Sequence, residues 1–138
     1  MLPAQLESEL ATLRRTFTVD VVEEPQVIDV VIHGFPVASP PYNSSSTNVL
    51  IRVPRAYPDA GLDMFWTDIE LKLDGGGIPQ GADKQEEYPA TDSILGFHGK
   101  VWRRFSWHPK YASPGKWNPA IDNIVSYTEF VRKRLNQG

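Results

Sequence analysis

The spacing of apolar residues changes twice along the chain. Leu6, Leu10 and Leu13 recur at helical intervals. Pro3 suits a first turn and Arg14 and Arg15 a helix C-terminus, so a short helix is predicted over 3–14. From Phe17 the period becomes two. Phe17, Val19 and Val21 alternate with Thr18 and Asp20, giving a strand that ends at Glu24-Pro25. Val27 to Ile32 is a second strand, Thr47 to Val53 a third, closed by Pro54, and Met64 to Leu73 a fourth, closed by Asp74-Gly75-Gly76-Gly77. Segments 34–46 and 74–95 read as loops, and Val101 to Trp107 as an aromatic strand. Ile121, Ile124, Val125, Thr128, Val131 and Leu135 restore the helical period, with Pro119 suited to the first turn.

This order predicts one α+β domain over residues 1–138. Its parts are an N-terminal helix, a four-stranded antiparallel meander, a long irregular segment and a C-terminal helix. The glycine triplet follows a strand but opens no helix and precedes no Gly-Lys-Ser/Thr, so it reads as a turn and not a phosphate cradle. The acidic run Asp83 to Glu87 lies in the second loop, where mobility and contact with a basic partner are expected.

Composition narrows the function. The chain has 138 residues, 41% hydrophobic and 22% charged, as expected of a soluble globular domain. Its net charge of −3 argues against nucleic-acid binding. The basic cluster Arg132-Lys133-Arg134 reads as helix-dipole compensation and a solvated surface. No apolar run is long enough to span a bilayer and no leader pattern is visible, so a cytoplasmic location is expected. Cysteine is absent, which removes disulfides, thiolate metal sites and thiol catalysis. The three histidines are too widely spaced for a helical metal motif, and His33, at a strand end, reads as structural.

Two short motifs carry a resemblance. Pro54-Arg-Ala-Tyr57-Pro58 closes the third strand, and Trp117-Asn-Pro119-Ala120 precedes the last helical pattern. In this order, with this strand count, the chain resembles the ubiquitin-conjugating fold over nearly its whole length. Pro54, Tyr57 and Pro58 match that family's turn, and Trp117, Pro119 and Ala120 its helix start. The family's His-Pro-Asn triplet is missing; Gly96-Phe97-His98-Gly99 stands nearest to its position. The family's catalytic cysteine is missing too. Where it would fall, the chain has Trp102-Arg-Arg-Phe-Ser-Trp-His108, with Ser106 eleven residues before Trp117. This stretch is similar to bacterial conjugating-enzyme relatives found beside ubiquitin-like proteins and their activating enzymes, in which a serine can carry the acyl group as an oxyester.

The resemblance implies an E2-like carrier, with a ubiquitin-like protein and an activating enzyme as partners. It implies no diffusible cofactor of the domain's own, ATP being used by the partner. Ser106 would be the nucleophile, needing a base to take its proton. His108, two residues on, or His98 would supply it. Arg103 or Arg104 would stabilise the oxyanion or hold the modifier's tail, and Trp107 is expected as a further binding residue. Ser93 and Ser113 are rival nucleophiles. The alternatives are an inactive module of this fold that binds a ubiquitin-like protein or its activating enzyme, and an unrelated α+β adaptor. Tyr57 is expected to be buried, with its ring near residues 96–108 and its hydroxyl on a backbone group.

Overall fold

A computed structural model describes residues 2–107 and 116–136. Helix α1 (Ala4–Leu13) leads into β1 (Thr18–Glu23), β2 (Val27–Pro36), β3 (Ser46–Pro54) and β4 (Phe65–Asp68). β5 (Lys84–Glu87), a 3-10 turn (Pro89–Ser93), β6 (Val101–Phe105) and α2 (Ile124–Leu135) follow. The strands form one antiparallel sheet in the order β1-β2-β3-β4-β6-β5. The α+β class with a helix at each end holds. The sheet, however, extends beyond the expected meander, because β6 pairs with β4 and β5 pairs with β6.

Three boundaries differ from the sequence reading. β4 ends at Asp68, whose carboxylate accepts from the Asn48 backbone N–H at 3.0 Å, and the chain turns there as Leu71 N–H donates to Asp68 O at 3.1 Å. β5 lies inside the stretch read as loop. Its Lys-Gln-Glu-Glu sequence has no alternation, and the open edge of β6 is what makes it a strand. The last helix begins at Ile124, where Asn123 and Ser126 form a reciprocal capping box. Pro119 therefore sits in the preceding turn, where the Asn118 carbonyl accepts from Ile121 and Asp122, and Ile121 is half exposed.

The sheet is buried on both faces. On one, Ile28, Val30 and Ile32 of β2, Val49, Ile51 and Val53 of β3, and Phe105 of β6 pack against Leu6, Leu10 and Leu13 of α1 and Ile124, Tyr127, Val131 and Leu135 of α2. On the other, Val31, Leu50, Trp66 and Trp102 are covered by Tyr88, Ile94 and Phe97. Burial on both faces explains why β2 is apolar at successive positions from Val30 to Ile32 and lacks the alternation of a half-exposed strand. His33 ends that run, its Nε2 2.7 Å from Asp20 and its ring stacked on Phe97.

The second face holds a polar network. Asp29 is fully buried and accepts from Arg52 Nε at 2.8 Å. Arg52 also bonds Glu24 at 2.5 Å and lies 4.2 Å from the Tyr88 ring centroid. The Tyr88 hydroxyl donates to Glu86, which also accepts from Arg104 at 2.7 Å and Trp66 Nε1 at 3.3 Å. The acidic run is thus built into the sheet at Glu86 and is not held out wholly to a partner.

The turn after β3 ties both helices together. Tyr57 is 3% exposed; its hydroxyl donates to Glu9 of α1 and accepts from Ile124 N–H of α2 at 2.8 Å. The backbone partner is as expected, but the ring rests on Trp117, 5.8 Å between centroids, and not on residues 96–108. Tyr57→Phe should lower stability by about 1–3 kcal/mol in urea melts, because it removes a buried donor and acceptor together; an unchanged midpoint would contradict the tie.

Burial pushes the Asp29 carboxyl up to about 6 from its ordinary 3.8, against the opposing pull of Arg52. The folded state then holds this proton more tightly than the unfolded state. Asp29 therefore adds stability as pH falls from about 6 toward 3.8 and withdraws it as pH rises through that window. Asp29→Asn should flatten that part of the stability–pH profile; an unaltered slope would count against the assignment.

Candidate active site

The site lies where β6 ends. Ser106 is the first residue beyond the strand and is exposed. Its backbone N–H donates to Gly81 O at 2.9 Å. Ser106, Trp107, Gln80, Gly81 and Arg134 line an open cleft of about 300 Å³. Gly81 has φ +76°, a conformation glycine adopts without strain, and leaves the cleft clear. A Cβ there would stand 3.7 Å from Ser106 O and 3.8 Å from Arg134 Nη2, so the serine backbone and the guanidinium converge on one point.

Trp107 is held firmly. Its ring meets Phe65 edge-on at 5.8 Å and lies 6.4 Å from Tyr127. Its carbonyl accepts from Met64 N–H at 3.1 Å. Met64 has φ 57°, uncommon for a residue with a side chain. Its carbonyl accepts from the Tyr127 hydroxyl, so both of its main-chain polar groups are used in holding the site. Trp117 anchors the chain on the far side of residues 108–115: its Nε1 donates to Pro58 O at 2.7 Å, and its ring lies over Gly61. Pro54, Tyr57, Pro58 and Trp117 are therefore one packed unit, the frame of the site rather than its chemistry.

The other expected site residues that the structure describes are dispersed. His108 and Ser113 lie outside the described residues. His98 is 90% exposed, with Nδ1 3.9 Å from Asp92. β6 alone separates its two ends by about 13 Å, and His98 and Ser106 lie beyond opposite ends, so His98 is not brought to the Ser106 hydroxyl. Ser93 lies at that far end as well. Arg103 is 1% exposed and donates to Ala82 O at 3.1 Å and Ile69 O at 2.8 Å. Arg104 pairs with Glu86 on the second face. Both arginines are engaged within the fold and not held out to a tail.

Arg134 was missed. Read as a solvated helix-end cation, it is instead 8% exposed. Its Nη2 donates to Gln80 O, and its guanidinium lies 5.6 Å from the Phe105 ring centroid. Among the described residues no carboxylate pairs with it. A signal existed: position 134 follows Val131 by three and Tyr127 by seven, which places it on the buried face of α2. A second pocket, about 160 Å³ beside Asn43 and Thr47, includes Asp68 and Glu70. Lys100 already engages both, at 2.7 and 3.7 Å.

The model of Prokaryotic E2 family E matches residues 6–138. The chain belongs to that family. No curated protein and no solved structure matches it. As an E2-like protein it falls within ubiquitin-like conjugation, where a ubiquitin-like protein and an activating enzyme are the general partners. This E2-like chain has no cysteine. Among its described residues, no helix is long and apolar enough to cross a membrane.

The Trp117 anchor is testable. A Cβ on Gly61 would fall 2.4 Å from Trp117 Cγ. Gly61→Ala should displace the ring from Pro58 and cost about 1–3 kcal/mol by overpacking, seen in thermal melts and in the Trp117 indole N–H resonance. A variant with native stability and an unmoved resonance would contradict it.

Proposed function

We propose that this E2-like protein carries the C-terminus of a ubiquitin-like modifier on Ser106 as an oxyester and passes it to a target amine. The observation that carries the reading is the placement of Ser106: exposed, at the rim of an open cleft, on a backbone held by Gly81 and followed by the fixed Trp107. A carrier needs a hydroxyl that a flexible tail can reach while the groups around it stay still.

The reaction balances simply. Ser106 Oγ forms an ester bond to the modifier's terminal acyl carbon as the bond from that carbon to the activating enzyme breaks. The hydroxyl proton goes to a base and then to the departing group. Attack by a target amine reverses the role of Ser106, which leaves as an alcohol and regains a proton. His108 is the base in this reading, an imidazole two residues from Ser106 in the sequence. Its loss should slow transfer by a factor on the order of 10²–10⁴.

A second reading has its own support. Among the described residues no histidine or carboxylate hydrogen-bonds to Ser106, and a cleft without a base suits a module that only binds the modifier or its activating enzyme.

Incubation with activating enzyme, modifier and ATP separates the two. The carrier should form an adduct that survives thiol reductant and is cleaved by hydroxylamine or mild base. Ser106→Ala should abolish the adduct while leaving modifier binding intact, and Ser106→Cys should restore one that is thiol-labile. An adduct unchanged in Ser106→Ala would move the nucleophile elsewhere, with Ser113 next. Retained binding with no adduct in any variant would establish the binding module.

A further inference from the structure

We propose that Arg134 is the binding residue that receives the terminal acyl oxygen of the modifier's tail beside Ser106, and the carboxylate of the same tail when it is free. The inference deepens the carrier reading and rests on it for the identity of the ligand.

Three observations meet at this side chain. First, its position is built. α2 brings its last turn against the end of β6, and Phe105 and the Gln80 carbonyl hold the guanidinium in place. A side chain already fixed loses little further freedom on binding, so each new hydrogen bond costs less entropy than one from a solvated arginine. Second, its charge is available. Its hydrogen bond to Gln80 is to a neutral carbonyl, and no carboxylate among the described residues pairs with it. A guanidinium has five N–H donors, and the fork suits an oxygen pair. By contrast, Arg52, Arg55, Arg104 and Arg132 each have a carboxylate partner, and the buried Arg103 directs both terminal nitrogens at carbonyls within the fold. Third, the space in front of it fits a slim, extended chain. The cleft of about 300 Å³ admits a few small residues, and Gly81 contributes no side chain to its wall. Main-chain groups and one cation are what the end of a peptide presents its carboxylate to.

The arrangement suits the reaction. The activated tail arrives with a carbonyl oxygen on its terminal carbon, and the free tail presents a carboxylate at the same place. As Ser106 Oγ adds to the acyl carbon, that oxygen gains negative charge, and a fixed cation stabilises it without reorganisation. The role assigned from the sequence to Arg103 or Arg104 passes to an arginine from the other end of the chain.

The test uses N-acetyl-triglycine as the free acid and as the amide, with the full-length chain followed by NMR. The free acid should shift the Gly81 and Ser106 amide resonances in a saturable way and bind about tenfold tighter than the amide, as one charge-assisted contact implies. Arg134→Gln should erase that preference. Arg134→Lys, which keeps the charge without the fork, should retain part of it, and thermal melts of both variants confirm that they are folded. In the adduct assay Arg134→Lys should raise the apparent KM for modifier or slow adduct formation without altering its hydroxylamine lability. Equal binding of acid and amide, no shift with either peptide, or an acid preference that persists in folded Arg134→Gln would each overturn the proposal. The carrier reading fails separately: absence of any adduct, with Arg134-dependent acid binding preserved, would reject Ser106 as carrier and leave the carboxylate site standing. Ser106→Ala should lose the adduct and keep the acid preference.

Discussion

The double pairing of β6 orders everything around the candidate site. Phe65 to Asp68 of β4 pair with one edge, and Lys84 to Glu87 of β5 with the other. With both edges committed, the strand cannot rotate, and alternation assigns each side chain to a face. Phe105 goes to the helical side and Trp102 to the second face. Arg103 is thereby buried as a cation, which is costly unless its donors are satisfied. The carbonyls of Ile69 and Ala82 each accept from one of its two terminal nitrogens, which fixes the chain on either side of the glycine turn. Ala82 adjoins Gly81, and Gly81 bonds Ser106. The position of the cleft thus follows from where one strand must put its charge.

The same logic explains the frame. Tyr57 joins α1 and α2 through one hydroxyl, and Trp117 lies against its ring. Met64, Trp107 and Tyr127 are linked by main-chain and ring contacts on the other side of residues 108–115. The stretch that follows Ser106 therefore starts and finishes at fixed tryptophans. For the proposed carrier role this rigidity matters, since an alcohol gains reactivity chiefly from placement and a nearby base.

Much of this was legible in the residue pattern. β1, β2, β3 and α2 declare themselves by periodicity, and the Pro54–Pro58 turn and Trp117 by motif. What was not legible depends on tertiary context. Lys84 to Glu87 has no apolar face and becomes a strand only because β6 offers an edge. Met64 to Leu73 alternates too long, and the Asp68 carboxylate cuts it short at Asn48 and Lys100. Pro119 resembles a helix start, yet Asn123 and Ser126 supply the real cap. At the candidate site, distance from Trp117 singles out Ser106 in the sequence, and the structure puts that residue at the rim of the cleft. Arg134 could not be told from its neighbours Arg132 and Lys133 by type, because all three are helix-end cations and only the facing of α2 separates them.

The central claim is that a hydroxyl at the end of β6 has taken the carrier role in a cysteine-free member of an E2 family. Peptide mapping of the activated adduct by tandem mass spectrometry addresses it most directly. The account predicts that the modifier's C-terminal mass sits on Ser106 and disappears on hydroxylamine treatment. A linkage mapped to a lysine, or to a different hydroxyl, would contradict it.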